Sequence, residues 1–152
     1  MLNVKTHSSM LSAGAQALVV GAALSATAAM AHLACILIGA PAYRFMGAGE
    51  RMARAAEAGR LRPTLVTLVI TMILLLWSVY ALSGAGVIGP LPLIRLVLVL
   101  ACAVYLVRAI AFPFLKPAFP ENSNTFWWIS SGICGLIGLA YAYGTLSLWQ
   151  TL

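Results

Sequence analysis

A nearly unbroken apolar run occupies residues 64–77 and reads TLVTLVITMILLLW. Three threonines interrupt it, and it contains no charged residue, no glycine and no proline. A stretch that is apolar on every side suits a helix in lipid, because a helix satisfies its own backbone hydrogen bonds there. About 20 apolar residues cross a bilayer, so we predict that this run is the centre of a membrane-spanning helix over residues 63–82.

Three further stretches have the length and the apolar character of membrane spans. They are residues 10–40, 91–112 and 126–148. Glycines and prolines mark turns, and they separate the second span from the third and the third from the fourth. Asn122, Ser123 or Asn124 is expected to cap the fourth helix. The sequence therefore predicts an all-α fold, an integral membrane four-helix up-down bundle that forms a single transmembrane domain over residues 1–152.

The composition favours the same location. Of the 152 residues, 62% are hydrophobic and 8% are charged, and the mean hydropathy is +1.00. Soluble domains carry roughly 25% charged residues, so a soluble globular domain, a disordered chain and a small secreted disulfide scaffold are all excluded. The formal net charge is +6. We assign this charge to lipid headgroups and not to nucleic acid, because the sequence contains no soluble basic domain.

The first span has an alternative interpretation as a signal peptide. Lys5 precedes it, and the sequence AMA at residues 29–31 resembles a signal-peptidase site. The apolar character continues to residue 38, which is longer than a usual signal core. We therefore expect a retained first span.

The positions of the basic residues predict an orientation. The connection between the first two spans contains five arginines, and Arg108 and Lys116 lie at the connection between the last two. Lys and Arg accumulate in cytoplasmic loops. We therefore expect both termini on the non-cytoplasmic side, in a membrane of the type of the bacterial inner membrane.

The first connection is also expected to contain a short interfacial helix, over residues 48–58. Glu50 precedes Arg54 by four residues and Arg54 precedes Glu57 by three, and both spacings support a helix. Met52 and the alanines are expected to rest on lipid. The arginines are expected to bind anionic headgroups, with about 1 kcal/mol for each residue near the surface. These candidates for headgroup contact are Arg51, Arg54, Arg60 and Arg62.

Small residues predict how the helices pack. Hydrophobicity alone does not join helices in lipid, so close backbone approach and hydrogen bonds must contribute. Two rows of small residues recur every four positions, one in the first span and one in the fourth. They are Ala13, Ala17, Gly21, Ser25 and Ala29, and Ser130, Cys134, Gly138 and Ala142. We predict that the first and fourth spans make the closest contacts, with each other or across an oligomer, so the expected partners are lipids and a homo-oligomer or larger membrane complex.

Ionisable groups inside a span are costly and are candidates for function. His32 lies about 12 Å from the inner end of its span at 1.5 Å per residue. This position suits a proton relay, a ligand or metal contact, or a neutral imidazole bonded to a hydroxyl or carbonyl group on a neighbouring helix. Arg108 is expected to pair with Glu50 or Glu121, with Tyr105 nearby. The candidate polar network comprises His32, Tyr43, Arg44, Glu50, Tyr105, Arg108 and Glu121.

The sequence contains no strong catalytic or cofactor motif. It has no aspartate, its three cysteines are scattered, and residues 47–49 do not continue into a phosphate-binding loop. We therefore expect no cofactor, no metal and no enzymatic activity. The first hypothesis for function is a non-catalytic accessory, scaffold or lipid-interacting subunit. The alternatives are a small oligomeric transporter or channel with a polar path near His32, and an intramembrane enzyme.

Overall fold

The computed structural model describes residues 11–152, of which 79% are helical and none lies in a strand. Seven α-helices cover this part of the chain, and the 3-10 turn Lys116–Ala118 follows the sixth. In chain order they are α1 (Ala13–Ile38), α2 (Ala40–Phe45), α3 (Glu50–Glu57), α4 (Leu61–Gly84), α5 (Ile94–Ile110), α6 (Phe112–Leu115) and α7 (Asn124–Ser147). The predicted all-α class is confirmed.

Three helices, α1, α4 and α7, are each long and apolar enough to cross a membrane. Helix α5 has 17 residues, and the segment Phe112–Ala118 that follows it is bent away from it by 65°. Pro113 lies at the start of that segment and has no backbone N–H to continue the helix. The described residues therefore contain three candidate spans, or four if the bent pair acts as one, which is compatible with an integral membrane protein.

The expected first span, residues 10–40, ends earlier than predicted. Gly39 follows α1 with a φ of +82°, a conformation that favours glycine, and the chain then turns into α2. Lys5 and the expected start of the span at residue 10 lie outside the described residues. At the fourth span, Ser123 accepts a hydrogen bond from the backbone N–H of Phe126, so one of the three expected capping residues is confirmed as the cap.

The bundle is built from two extensively packed helix pairs, α1 with α4 and α5 with α7, and a smaller contact between α1 and α7 joins them. Within the chain, the prediction that the first and fourth spans make their closest contacts with each other is therefore wrong, whereas contact of these spans across an oligomer stays a prediction. A line of buried small and hydroxyl side chains, Thr67, Thr71, Ser78 and Ala81, runs along α4 and contributes to its packing. Within it, the Ser78 hydroxyl donates a hydrogen bond of 2.8 Å to the carbonyl oxygen of Ala22.

Glycines still bring α1 and α7 close together. A Cβ atom on Gly21 would lie 2.8 Å from the ring of Tyr141, and one on Gly144 would lie 2.6 Å from Leu18 and 2.9 Å from the carbonyl oxygen of Gly14. Of the predicted row on α1, Gly21, Ser25 and Ala29 are buried, Ala17 is half-buried and Ala13 is exposed.

The predicted small-residue row of the fourth span faces α5 and not α1. A Cβ atom on Gly138 would lie 2.7 Å from Leu106, and the Cys102 thiol lies 3.6 Å from the Gly138 carbonyl oxygen. Cys134 is half-buried on the same side of the core. A spacing of four residues identifies a smooth face on a helix, but it does not identify the helix that packs against it.

The outer surface of the long helices is apolar. Large exposed side chains include Met30, Val69, Met72, Val107, Leu136 and Leu139. An exposed apolar surface of this extent is typical of a face that meets lipid or a partner.

Candidate functional site

The end of the helix bundle that carries the first and third connections is called the basic end. Arg44, in the last turn of α2, makes most of the ion pairs there. Its guanidinium donates two hydrogen bonds to Glu50, of 2.9 and 3.0 Å, and a third of 2.8 Å to Glu57. Arg54 also donates to Glu50, at 3.0 Å. A two-point guanidinium–carboxylate contact is directional, so this four-residue ion cluster sets the orientation of α3 relative to α2.

The ion cluster confirms one expected pair and replaces another. Glu50 and Arg54 form the predicted contact between positions four apart. Glu57, which was expected to pair with Arg54, is bound by Arg44 instead. Arg54 pairs with Glu50, and the three-residue spacing from Arg54 to Glu57 carried no information about Arg44 on the preceding helix.

The ion cluster shifts the acid–base equilibria of its members. Hydrogen bonds from Arg44, and then from Arg54, lower the pKa of Glu50 to about 2. Hydrogen bonds to Glu50 and Glu57 raise the pKa of Arg44 above its ordinary value. The side chains of Arg44 and Glu50 are 42% and 35% exposed, and solvent screens ion pairs at that exposure. The ion cluster therefore fixes the orientation of α3 relative to α2 more than it raises the free energy of unfolding.

Hydrogen bonds hold the connection between α5 and α7 against the basic end. Glu121 accepts a hydrogen bond of 2.8 Å from the backbone N–H of Glu50, which lowers the pKa of Glu121 and places a negative charge at the start of α3. Asn122 donates a hydrogen bond of 3.1 Å to the carbonyl oxygen of Gly47. A Cβ atom on Gly47 would overlap the Phe126 ring, so this contact requires glycine.

Tyr43 of α2 lies on the buried side of the same end of the protein. It is 3% exposed, and its hydroxyl lies 3.1 Å from that of Thr67 on α4. Tyr43 packs with Cys35, Ala40 and Ala53 in a small core. Ala53 is fully buried there, so the expectation that the alanines of α3 rest on lipid is wrong for this residue. Because α3 folds back over α2, its alanine face meets protein.

The centre of the bundle contains a second polar group, which we call the serine–tyrosine hub: Ser25, Tyr105 and Tyr141. The Ser25 hydroxyl lies 2.8 Å from the Tyr105 hydroxyl and 3.1 Å from the Tyr141 hydroxyl, and all three residues are buried. Trp77 places its ring edge-on to Tyr105, with centroids 5.2 Å apart. One side chain from each of α1, α4, α5 and α7 therefore meets here, and pairing of the buried hydroxyls sets their relative register.

Tyr141 was not among the predicted site residues, and the predicted neighbour of Tyr105 is wrong. Tyr105 was expected to join Arg108, but its hydroxyl points to α1. A signal for Tyr141 does exist, because Ser131, Gly138, Tyr141 and Thr145 recur along α7 at spacings of seven, three and four and are all buried. That pattern marks one helix face, whereas the exposed Tyr143 lies on another.

His32 is half-buried, and its Nδ1 lies 2.8 Å from the carbonyl oxygen of Ala28 in the same helix. Its observed hydrogen-bond partner is therefore on its own helix and not on a neighbouring one. The predicted single polar network is replaced by separate groups: the ion cluster with Glu121, the Tyr43 contact, the hub, His32 and Arg108. Among residues 11–152, no group of three or more His, Cys, Asp or Glu side chains is placed to hold a metal ion.

Arg108 does not contact either of its expected partners. Its Nη2 donates a hydrogen bond of 2.9 Å to the Ser130 hydroxyl, and its guanidinium lies 5.1 Å from the centre of the Trp127 ring. The prediction of a pair with Glu50 or Glu121 is wrong, because both carboxylates are engaged at the start of α3.

The four arginines expected at headgroups are all exposed. Arg54 belongs to the ion cluster. Within the part of the chain that the structure describes, Arg51, Arg60 and Arg62 form no ion pair with a carboxylate.

A pH titration tests the ion cluster. The pKa of Glu50 falls from 4.5 to about 2 on folding, so the stability that this carboxylate contributes is present above pH 4.5 and is lost as the pH falls through about 2. We expect the carboxyl carbon of Glu50 to titrate near pH 2 in an NMR experiment on labelled protein in detergent. The variant Glu50→Gln assigns the signal, and a midpoint near 4.5 would contradict the observed geometry.

Comparison of the chain with protein-family models, with curated proteins and with solved structures finds no match.

Proposed function

We propose that the chain is a non-catalytic membrane subunit, an accessory or scaffold protein whose basic end binds anionic lipid headgroups. In this proposal α1, α4, α5 with its bent extension, and α7 form a four-helix up-down bundle. The observation that carries the proposal is a set of three exposed arginines in the first connection, Arg51, Arg60 and Arg62, which we call the basic surface. These side chains are exposed and lack carboxylate partners among the described residues.

Apolar side chains at the same end support a membrane-surface location. Phe45 is 82% exposed, Leu61 73% and Phe114 85%. Residues of this kind beside arginines are typical of segments that lie at the boundary between headgroups and acyl chains. The basic surface and these side chains thus favour contact with a lipid surface over an exposed position in water.

The charge distribution also supports the proposed orientation. The ion cluster, the basic surface and Lys116 belong to the first and third connections, and cytoplasmic loops are enriched in Lys and Arg. We place this end on the cytoplasmic side of a membrane like the bacterial inner membrane, with both termini on the other side. Outward faces such as that of Gly132, where a Cβ atom would have no neighbour within 4 Å, leave room for a further copy or a larger membrane complex.

A lipid titration tests this function. We expect phosphatidylglycerol to raise the Tm of the protein in detergent more than phosphatidylcholine does, and salt to reduce the difference by screening. The variant R51Q/R60Q/R62Q should lose most of the difference, since each arginine contributes about 1 kcal/mol near an anionic surface. The matched control is Arg95→Gln, which removes a charge at the opposite end, where Arg95 bonds the backbone oxygen of Leu152. An equal response of the triple variant and the native protein would refute the proposal.

A further inference from the structure

Three hydrogen-bonding groups near the basic end are buried without a partner. They are Nη1 of Arg108, Nε1 of Trp127 and Oγ of Ser131, each with almost no accessible surface and no hydrogen-bond partner among the described residues. Trp127 is 2% exposed and Ser131 is 8% exposed. A buried donor without an acceptor is costly, and native proteins rarely leave one so. The concentration of such groups in one turn of α7 and the facing end of α5 therefore requires a reason.

Two relations connect the three residues: Trp127 and Ser131 share a face of α7, and the Arg108 guanidinium stacks on Trp127. Trp127 and Ser131 are four residues apart, which places them on the same face of α7. The Arg108 guanidinium lies over the Trp127 ring, 5.1 Å from its centre, and Arg108 bonds the hydroxyl of Ser130, the residue before Ser131. Two of the three groups are obligatory donors and the third is a hydroxyl. The chemistry that satisfies all three together is an oxyanion.

Charge balance leads to the same conclusion. The chain has three acidic residues, and they are Glu50, Glu57 and Glu121. The first two are bound in the ion cluster, and Glu121 accepts the backbone N–H of Glu50. No carboxylate side chain of this protein is therefore left to neutralise Arg108. A guanidinium near the end of a membrane-spanning segment pairs with an anion, a polar group or water, and the unpartnered donors beside it favour an anion.

The depth of the site indicates the source of the anion. Arg108 lies two residues before the end of α5, and Trp127 is the fourth residue of α7, so both lie within about 6 Å of a helix end at 1.5 Å per residue. Phe112 packs on both Trp127 and Trp128 there, with ring centroids 5.9 and 5.4 Å apart. Aromatic side chains of this kind collect at the level of lipid headgroups.

We propose that Arg108, Trp127 and Ser131 form a binding site for the phosphate group of one phospholipid headgroup, between α5 and α7. The phosphate enters past the half-buried Arg108 side chain and accepts hydrogen bonds from the guanidinium, the indole N–H and the hydroxyl. This proposal rests on the proposed function in one respect, namely that this end of the bundle lies at a membrane surface. The site differs from the basic surface in that it holds a single lipid through buried donors.

Native mass spectrometry of the detergent-solubilised protein tests the site. The probes are phosphatidylglycerol and phosphatidylcholine, with inorganic phosphate in a separate arm. We expect one phosphatidylglycerol to be retained per chain, an affinity at least tenfold lower in Arg108→Gln, and a severalfold loss in Ser131→Ala and Trp127→Phe. Arg95→Gln and R51Q/R60Q/R62Q should stay within twofold of the native protein.

Thermal unfolding supplies a readout that a purely structural role would not give. Without lipid, Ser131→Ala removes a hydroxyl that has no partner, so its Tm should equal or exceed that of the native protein. Trp127→Phe also shrinks a buried ring that packs against Phe112, so its Tm without lipid should fall, and only its lipid-dependent gain tests the site. With phosphatidylglycerol, the Tm gain of both variants should be smaller than the native gain. A lower Tm of Ser131→Ala without lipid, and an unchanged gain of both variants with it, would overturn the site even if Arg108→Gln fails to fold.

The remaining outcomes separate this site from the proposed function. If Arg108→Gln and Ser131→Ala retain lipid as the native protein does, the site is wrong whatever the triple variant shows. If the single lipid is retained through Arg108 but the triple variant keeps its full Tm response, only the proposed basic surface is wrong. Stabilisation by inorganic phosphate without retention of phosphatidylglycerol would reassign the site to a free anion and overturn the lipid proposal.

Discussion

The substitution Tyr141→Ala is expected to lower the free energy of unfolding by about 3–5 kcal/mol, the usual cost of truncating a large buried aromatic side chain. Tyr141 is fully buried, and its ring packs against Tyr105 with centroids 5.7 Å apart. It also fills the space that Gly21 leaves on α1. Removal of the ring therefore opens a cavity where α1, α5 and α7 meet. Unfolding in a denaturing detergent, followed by circular dichroism, measures the loss.

Two controls separate the ring of Tyr141 from its hydroxyl. Tyr141→Phe keeps the ring and removes the hydrogen bond to Ser25, which should cost about 1 kcal/mol. Tyr143→Ala removes the same side chain two residues away, where it is 55% exposed, and should cost less than about 0.5 kcal/mol. If Tyr141→Ala and Tyr143→Ala destabilise the protein equally, Tyr141 is not at the centre of the bundle.

The substitution Gly144→Ala is expected to destabilise the protein by about 1–3 kcal/mol through overpacking. The added Cβ atom would lie 2.6 Å from a carbon of Leu18 and 2.9 Å from the carbonyl oxygen of Gly14. Leu18 has alternative rotamers, but the backbone of α1 does not yield without separating α1 from α7. The expected result is a lower Tm and a weaker contact between the two helix pairs.

A matched glycine on the same helix should respond with the opposite sign. Gly132 faces open space, so Gly132→Ala meets no neighbour in the chain and should gain up to about 1 kcal/mol from the better helix propensity of alanine. Combining Gly144→Ala with Leu18→Ala should cost less than the sum of the two single changes, because the second change removes one of the clashing groups. Additive effects, or destabilisation by both glycine changes, would contradict the observed α1–α7 contact.

Local features of the fold were predictable from the sequence because they depend on neighbouring residues. The apolar run at residues 64–77 lies inside α4, Ser123 caps α7, and Glu50 and Arg54 pair across one turn of α3. Each depends on hydropathy, on an unsatisfied helix end, or on a spacing of four residues, and none requires a second helix to be in place.

Contacts between helices were not predictable in the same way. The row containing Cys134 and Gly138 was recognised as smooth, but the rotation of α7 turns it to α5. Ala53 was expected to rest on lipid, and the fold of α3 over α2 buries it. In a chain whose spans are apolar on every side, hydropathy does not distinguish the face that meets protein from the face that meets lipid.

The sequence by itself determined that the chain is helical, that its helices suit a membrane and that its charge is concentrated in the first connection. The tertiary structure alone decided which polar groups meet. Ser25 forms hydrogen bonds with Tyr105 and Tyr141. Glu57 pairs with Arg44, and Arg108 stacks on Trp127 and has no carboxylate partner. The physical reason is that composition and periodicity describe one helix at a time, whereas hydrogen-bond partners depend on the rotation, depth and order of several helices together.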